Sequence, residues 1–310
     1  MAMSARRTPT KLRTEESNVV SKDLDTLSAL AIARVINAED AKVAAAVQRA
    51  LPQIARAIDL VADVLADGGR LIYVGAGTSG RIAALDAVEC PPTFNTVPQT
   101  IQFVMAGGEK ALARATEADE DSRALGRRDL QRKRPTRKDV VVGVAASGHT
   151  PYTVAAVEYA CERGARTIAV TCNADSPLQS AAEFAIVVDA GPEVVAGSTR
   201  MKAGTAEKMV LNMLSTGALA RLGYVYGNLM ANLQMKNEKL LERGLAILEQ
   251  AAGVSREEAT WALKSAKTNL PLALVMLKAK LSKADAMRRL QRAKGNIRKA
   301  INTSGDRAIR

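Results

Sequence analysis

Apolar residues recur at two spacings along this chain. Between Asp23 and Ala38, Leu24, Leu27, Ala31 and Val35 fall on one face at helical spacing. Asp40 to Leu65 continues as a long helical stretch in which Pro52 either kinks the helix or opens a second one. Asp67-Gly68-Gly69 closes it, and short strand-like runs follow at Leu71–Val74, Thr100–Met105, Asp139–Ala145, Ala165–Thr171 and Phe184–Asp189. The run at Asp139–Ala145 is apolar on both faces, as a buried parallel strand requires. Helical stretches separate these runs. One follows the first run and ends at Pro91-Pro92; others cover Glu109 to about Leu125 and Val154–Gly164. The alternation predicts an α/β fold with a doubly wound parallel sheet flanked by helices, and ligands gathered beyond the strand C-termini.

Residues 1–18 lack apolar periodicity and read as a disordered N-terminus until the segment Thr14-Glu15-Glu16. Residues 19–250 then form the α/β domain with its N-terminal helices, including long helices through Ala220 and on to Gln250. Residues 251–310 read as a small helical module with a basic tail. Its three helices are expected at Ser255–Ala266, Leu270–Lys280 and Ser282–Ala293, the first opened by the capping signal Ser255-Arg256-Glu257-Glu258.

The chemistry concentrates where the first strand ends, at Gly75-Ala76-Gly77-Thr78-Ser79-Gly80-Arg81. A strand that runs through a Gly-rich turn into a helix offers an anion unpaired backbone N–H groups and the positive end of a dipole. Thr78 and Ser79 add hydroxyls. Gly75, Gly77 and Gly80 also fit the letters of a dinucleotide fingerprint, but no clear acidic residue follows at the distance that would hold a ribose. Gly80-Arg81-Ile82 is not the Gly-Lys-Ser/Thr of a nucleotide P-loop. A sugar phosphate or other small phosphate, a dinucleotide and a purely structural turn all remain open on pattern alone.

About 70 residues on, a second strand runs into Ala146-Ser147-Gly148-His149-Thr150-Pro151-Tyr152. Thr150 suits a helix cap and Pro151 a first helical position, which leaves Ser147-Gly148 unexplained by capping. His149 is the single histidine of the chain and cannot by itself form a metal site. Gly197-Ser198-Thr199-Arg200-Met201-Lys202 opens a later helix with a Ser/Thr cap and two cations, suited to an anion or to capping. Glu89 precedes Pro91-Pro92, where the helix dipole disfavours a carboxylate. The run Thr116 to Ser122, which includes Glu120, reads from its residues as a solvated acidic face.

The 310 residues, 47% apolar and 25% charged, suit a globular protein. Aromatics at 3% argue against base-stacking platforms, and no apolar run reaches the length of a membrane span. No signal peptide opens the chain. Cys90, Cys161 and Cys172 form an odd set without metal spacing, which points to a reducing cytoplasm and no zinc. The net charge of +12 resides at the ends: +11 in residues 261–310 and +4 in residues 1–13, leaving −3 between. Such a tail can meet nucleic acid or an acidic partner, but a solvated basic helical face is the commoner reading.

Taken together these segments resemble the N-acetylmuramic acid 6-phosphate etherases, enzymes of the sugar isomerase (SIS) fold. The matching stretches are Thr14–Asn18, Gly75–Arg81, Glu89–Thr93, Ala106–Glu109, Glu120–Ser122, Ala145–Gly148, Thr150–Tyr152, Ser198–Ala206, Asn212–Thr216 and Gly227–Met230. The resemblance covers about residues 14–300. It implies cleavage of the D-lactyl ether of N-acetylmuramic acid 6-phosphate by elimination and hydration, with no metal or organic cofactor, because the open-chain aldehyde is the electron sink. It maps the two catalytic glutamates onto Glu89, as acid on the departing lactate oxygen, and Glu120, as base at C2. It thereby overturns the solvated-face reading of Glu120. It implies phosphate binding by Gly77, Thr78, Ser79 and Gly80 of the first loop and Ser147, Gly148 and Thr150 of the second. Arg200 and Lys202 stand as possible assistants or as structural ion-pair partners. The family commonly carries Arg at the position of His149, so His149 is not expected in catalysis. Pairing of SIS domains implies a homodimer with sites near its interface. The competing reading is a non-catalytic sugar-phosphate-binding regulator resembling glucokinase regulatory protein, which would not need both acids. A SIS-type transcriptional regulator would place a compact helix-turn-helix before the SIS domain, and residues 1–70 lack that pattern.

Overall fold

Five strands pair in parallel in the order β2-β1-β3-β4-β5 in the computed structural model, which describes residues 12–114, 119–235 and 237–302. They are β1 (Leu71–Gly75), β2 (Ile101–Met105), β3 (Val140–Val144), β4 (Arg166–Thr171) and β5 (Phe184–Val187). The helices are α1 (Ala29–Arg49), α2 (Leu51–Ala66), α3 (Gly77–Phe94), α4 (Arg123–Lys133), α5 (Pro151–Glu162), α6 (Pro177–Ala181), α7 (Lys202–Leu222), α8 (Glu238–Ala252), α9 (Arg256–Ser265), α10 (Leu270–Ala279), α11 (Lys283–Arg292) and α12 (Ile297–Asn302). The expected doubly wound parallel sheet is therefore present. Both β1 and β3 are buried along their whole length, because helices cover both faces of the sheet.

The strand order reverses between β1 and β3, which makes this the switch point where open α/β sheets bind ligands. Register aligns Gly75 with Val144, so the two strands end level and their loops emerge side by side.

Several elements differ from the sequence expectation. Helix α3 does not end at Pro91-Pro92: it continues to Phe94 and stops at Asn95, which takes a left-handed conformation (φ 56°). The fixed φ of proline is itself helical, so two prolines in the last turns remove hydrogen bonds without breaking the path. Glu89 consequently lies inside the helix, not at its last turn. The expected helix from Glu109 to Leu125 is also interrupted. A 3-10 turn covers Gly108–Leu112, Thr116 to Ala118 lie outside the described residues, and α4 starts after Ser122, whose hydroxyl accepts from Leu125 N–H at 3.2 Å. That cap supplies the break.

Contacts divide the chain into two units, Met1–Ala87 with Ile101–Leu214, and Val88–Thr100 with Ser215–Arg310. In the first, residues 12–18 are fixed where disorder was expected: Thr14 and Asn18 are buried, and Arg13 N–H donates to Asn173 Oδ1 at 2.8 Å. The expected disorder of residues 1–11 and the tail beyond Asn302 lie outside the described residues. In the second, α8 to α12 enclose a core that includes Leu248, Leu263, Leu274 and Ile297. The capping box is formed: Ser255 Oγ accepts from Glu258 N–H, and Ser255 N–H donates to Glu258 Oε2. A fourth short helix, α12, was not anticipated. Asn296 caps it by accepting from Lys299 N–H at 2.9 Å.

Candidate active site

At the switch point, Gly77 is the first residue of α3 and has φ +52°, a conformation that favours glycine. A Cβ at Gly77 would lie 2.8 Å from Glu120 Oε1, so the carboxylate of Glu120 rests directly on the bare backbone of the first loop. The main chain of Glu120 is tied to the second loop as well: its carbonyl accepts from Tyr152 N–H at 3.0 Å, in the first turn of α5. One residue on the segment before α4 thus joins both loops, and its half-buried carboxylate faces the positive end of α3.

In the second loop, Gly148 has φ +71°, and a Cβ there would come within 2.3 Å of Ser176 Oγ and 2.7 Å of Thr171 Oγ1. The backbone is pressed onto β4 and the loop before α6, which only glycine permits. Ser147 Oγ accepts from His149 N–H at 3.1 Å, and Thr150 makes no capping hydrogen bond, contrary to the expectation that it caps α5. Pro151 occupies the first turn, as expected. His149 is exposed, with its Nδ1 2.8 Å from its neighbour Ser147's carbonyl.

The third Ser/Thr-rich helix start serves the fold. Glu193, wholly buried, accepts from the N–H groups of Lys202 and Ala203 at 2.9 Å each and so caps α7. Buried Lys202 donates to Glu39 Oε2 at 2.7 Å, and Arg200 is exposed. Burial opposes ionisation of Glu39, but Lys202, Lys42 and Asn18 outweigh it and hold its pKa at about 2. Of the two options for Lys202, the ion pair is the one formed. Asn173, which the sequence reading left aside, gathers the N-terminal segment onto the sheet edge by donating to Thr14 Oγ1 at 3.1 Å and to the carbonyl of Ala146 at 3.0 Å.

A further carboxyl stands behind the first loop. Ser79 Oγ lies 2.8 Å from Glu207 Oε1, on α7, and burial raises the pKa of Glu207 to about 8 against the opposing hydrogen bond of Ser79. Sequence reasoning passed over Glu207. The signal was an acid among Ala203, Ala206, Val210 and Leu211, residues that form the apolar, buried side of α7. Glu89 lies in the fourth turn of α3, exposed, in the second unit. Among the described residues no cluster of three or more His, Cys, Asp or Glu is placed to hold a metal ion, and no helix is long and apolar enough to cross a membrane.

Residues 53–161 match the glucokinase regulatory protein N-terminal SIS domain and residues 128–217 match the SIS domain. The N-acetylmuramic acid 6-phosphate etherase of Clostridium beijerinckii is 48% identical over 290 residues, 94% of this chain and 95% of that protein. The chain belongs to the N-acetylmuramic acid 6-phosphate etherase family. Family members from Vibrio vulnificus (48% identical) and Escherichia coli (49%) each align over 292 residues, 94% of this chain and 97% and 98% of their own lengths. The etherase relationship therefore spans both compact units and not the SIS sheet alone.

Proposed function

We infer that this chain cleaves the D-lactyl ether of N-acetylmuramic acid 6-phosphate, giving N-acetylglucosamine 6-phosphate and D-lactate. The family relationship supports the reaction; the seat of Glu120 on Gly77 supports the site. In the open-chain sugar the C1 aldehyde acidifies the C2 proton. Glu120 removes that proton, electrons move to form the C2–C3 double bond, and the C3–O bond breaks. Glu89 protonates the leaving lactate oxygen. Water then adds at C3 and a proton returns to C2, so the ether is replaced by a hydroxyl. One carboxyl must start ionised and the other protonated.

The phosphate is assigned to the switch point. Gly77, Thr78, Ser79 and Gly80 present the N-terminus of α3, and Ser147, Gly148 and Thr150 close the other side from the loop after β3. The uncommitted capping hydroxyl of Thr150 and the level ends of β1 and β3 support this.

The working unit is a homodimer. In this reading the SIS domains pair with their sites near the interface, and Glu89 of one copy acts with Glu120 of the other. The three cysteines, none of them in a disulfide, fit a reducing, cytoplasmic setting. Assay of D-lactate from N-acetylmuramic acid 6-phosphate tests the function. Binding of the sugar phosphate without lactate release would support the regulator instead.

A further inference from the structure

Glu207 belongs to no step above, yet its buried side chain reaches the anion loop at Ser79. Its carboxyl is 1% exposed, Oε1 is 2.8 Å from Ser79 Oγ, and Oε2 is buried without a hydrogen-bond partner among the described residues. An ionised Glu207 would leave a buried charge on an unpaired oxygen, directly behind the loop that receives a dianion, and would keep the hydroxyl hydrogen of Ser79 turned inward. A protonated Glu207 reverses the bond. The acid donates to Ser79 Oγ, the unpaired oxygen becomes a neutral carbonyl, and the Ser79 hydrogen is released toward the ligand.

We propose that Glu207 is a positioning residue, a neutral carboxylic acid that donates to Ser79 Oγ and thereby aims the Ser79 hydroxyl at the substrate phosphate. The proposal rests on the reading of the first loop as the phosphate site. Burial keeps the proton on Glu207 through neutral pH, with a pKa of about 8. The charged and titratable groups around it do not reverse this. Cys172, at the end of β4, is held well above its usual range by burial and then by Glu207, Glu193 and Asp189, so it stays a neutral thiol. The carboxylate of Glu193 is engaged by the N–H groups of Lys202 and Ala203. Lys202 is turned to Glu39.

The test measures the affinity of N-acetylglucosamine 6-phosphate by titration calorimetry for wild type, Glu207→Gln, Glu207→Leu, Ser79→Ala and Ser79→Ala/Glu207→Leu, at pH 7 and pH 9. A glutamine amide still donates to Ser79 Oγ, so Glu207→Gln binds like wild type at pH 7. Glu207→Leu loses the donor while staying buried and apolar, and binds about tenfold to a hundredfold more weakly. The phosphate remains a dianion across this range. Wild type therefore weakens between pH 7 and pH 9 as Glu207 ionises, whereas Glu207→Gln holds its affinity. In the Ser79→Ala background the leucine substitution adds nothing further. Equal affinity of wild type and Glu207→Leu, or the same fall toward pH 9 in wild type and Glu207→Gln, overturns the positioning role. Wild type that binds N-acetylglucosamine and its 6-phosphate equally overturns the phosphate reading beneath it. If Glu207→Leu fails to fold, the pH comparison between wild type and Glu207→Gln decides alone.

Discussion

Replacing Glu207 by glutamine removes a buried acid and leaves its shape, so the effect on stability isolates one titration. The unfolded chain releases the Glu207 proton near 4.5, whereas the folded protein keeps it to about 8. Between those values the folded state binds the extra proton, so stability falls as pH rises. The contribution is present in full below the unfolded value and is lost by the time pH passes about 8. Each pH unit in the interval removes about 1.4 kcal/mol, about 5 kcal/mol in all. Glutamine has no proton to lose, and every other ionisable group is common to both proteins. The stability of Glu207→Gln relative to wild type should therefore climb from pH 5 to pH 8 and level off above. Hydrogen exchange of the β1 and β3 amides, compared between the two proteins at each pH, reads this in the unit that contains the residue. A constant difference from pH 5 to pH 9 would refute the burial argument.

Three further outcomes follow from the geometry. Mixing Glu89→Ala with Glu120→Ala should restore activity, because a mixed dimer assembles one site with both acids; random pairing gives about a quarter of the wild-type rate, and no recovery would place both glutamates on one chain. Gly77→Ala forces a left-handed alanine at a cost of about 1–2 kcal/mol and crowds the Glu120 carboxylate, so kcat should fall much more than melting temperature; an unchanged kcat would detach Glu120 from the loop. Lys202→Met removes the buried ion-pair partner of Glu39 and leaves it to the exposed Lys42 and to Asn18, with an expected loss of up to about 3–5 kcal/mol by urea unfolding, and with no specific loss of phosphate affinity. In the intact pair, the depressed pKa of Glu39 means that stability is present above about 4.5 and is lost as pH falls toward 2.

The sheet was readable because its evidence is local. Leu71–Val74 and Val140–Val144 are continuous apolar runs, and the glycines that end or follow them announce the turns. The β-α alternation pointed to ligands beyond the strand C-termini, but the strand order that sets the switch point came from the structure. Helix ends were less legible, because Pro91-Pro92 is tolerated where the chain is already helical and Ser122 caps a helix that an unbroken acidic pattern hid. The role of Lys202 depended on Glu39, 163 residues earlier, and a contact of that kind leaves no trace in spacing. Glu120 illustrates the same limit: its residues alone read as a solvated acidic face, family resemblance singled it out, and its packing against Gly77 could not be read from spacing. Glu207 could have been noticed as an acid on an apolar stripe, but its partner Ser79 could not.

The central claim is tested most directly by D-lactate released from N-acetylmuramic acid 6-phosphate by wild type, Glu89→Ala and Glu120→Ala. Lactate from wild type, with losses of about 10²-fold or more in each variant, is the expected result. A folded wild type that binds the sugar phosphate and releases no lactate, or either variant at full rate, would contradict it.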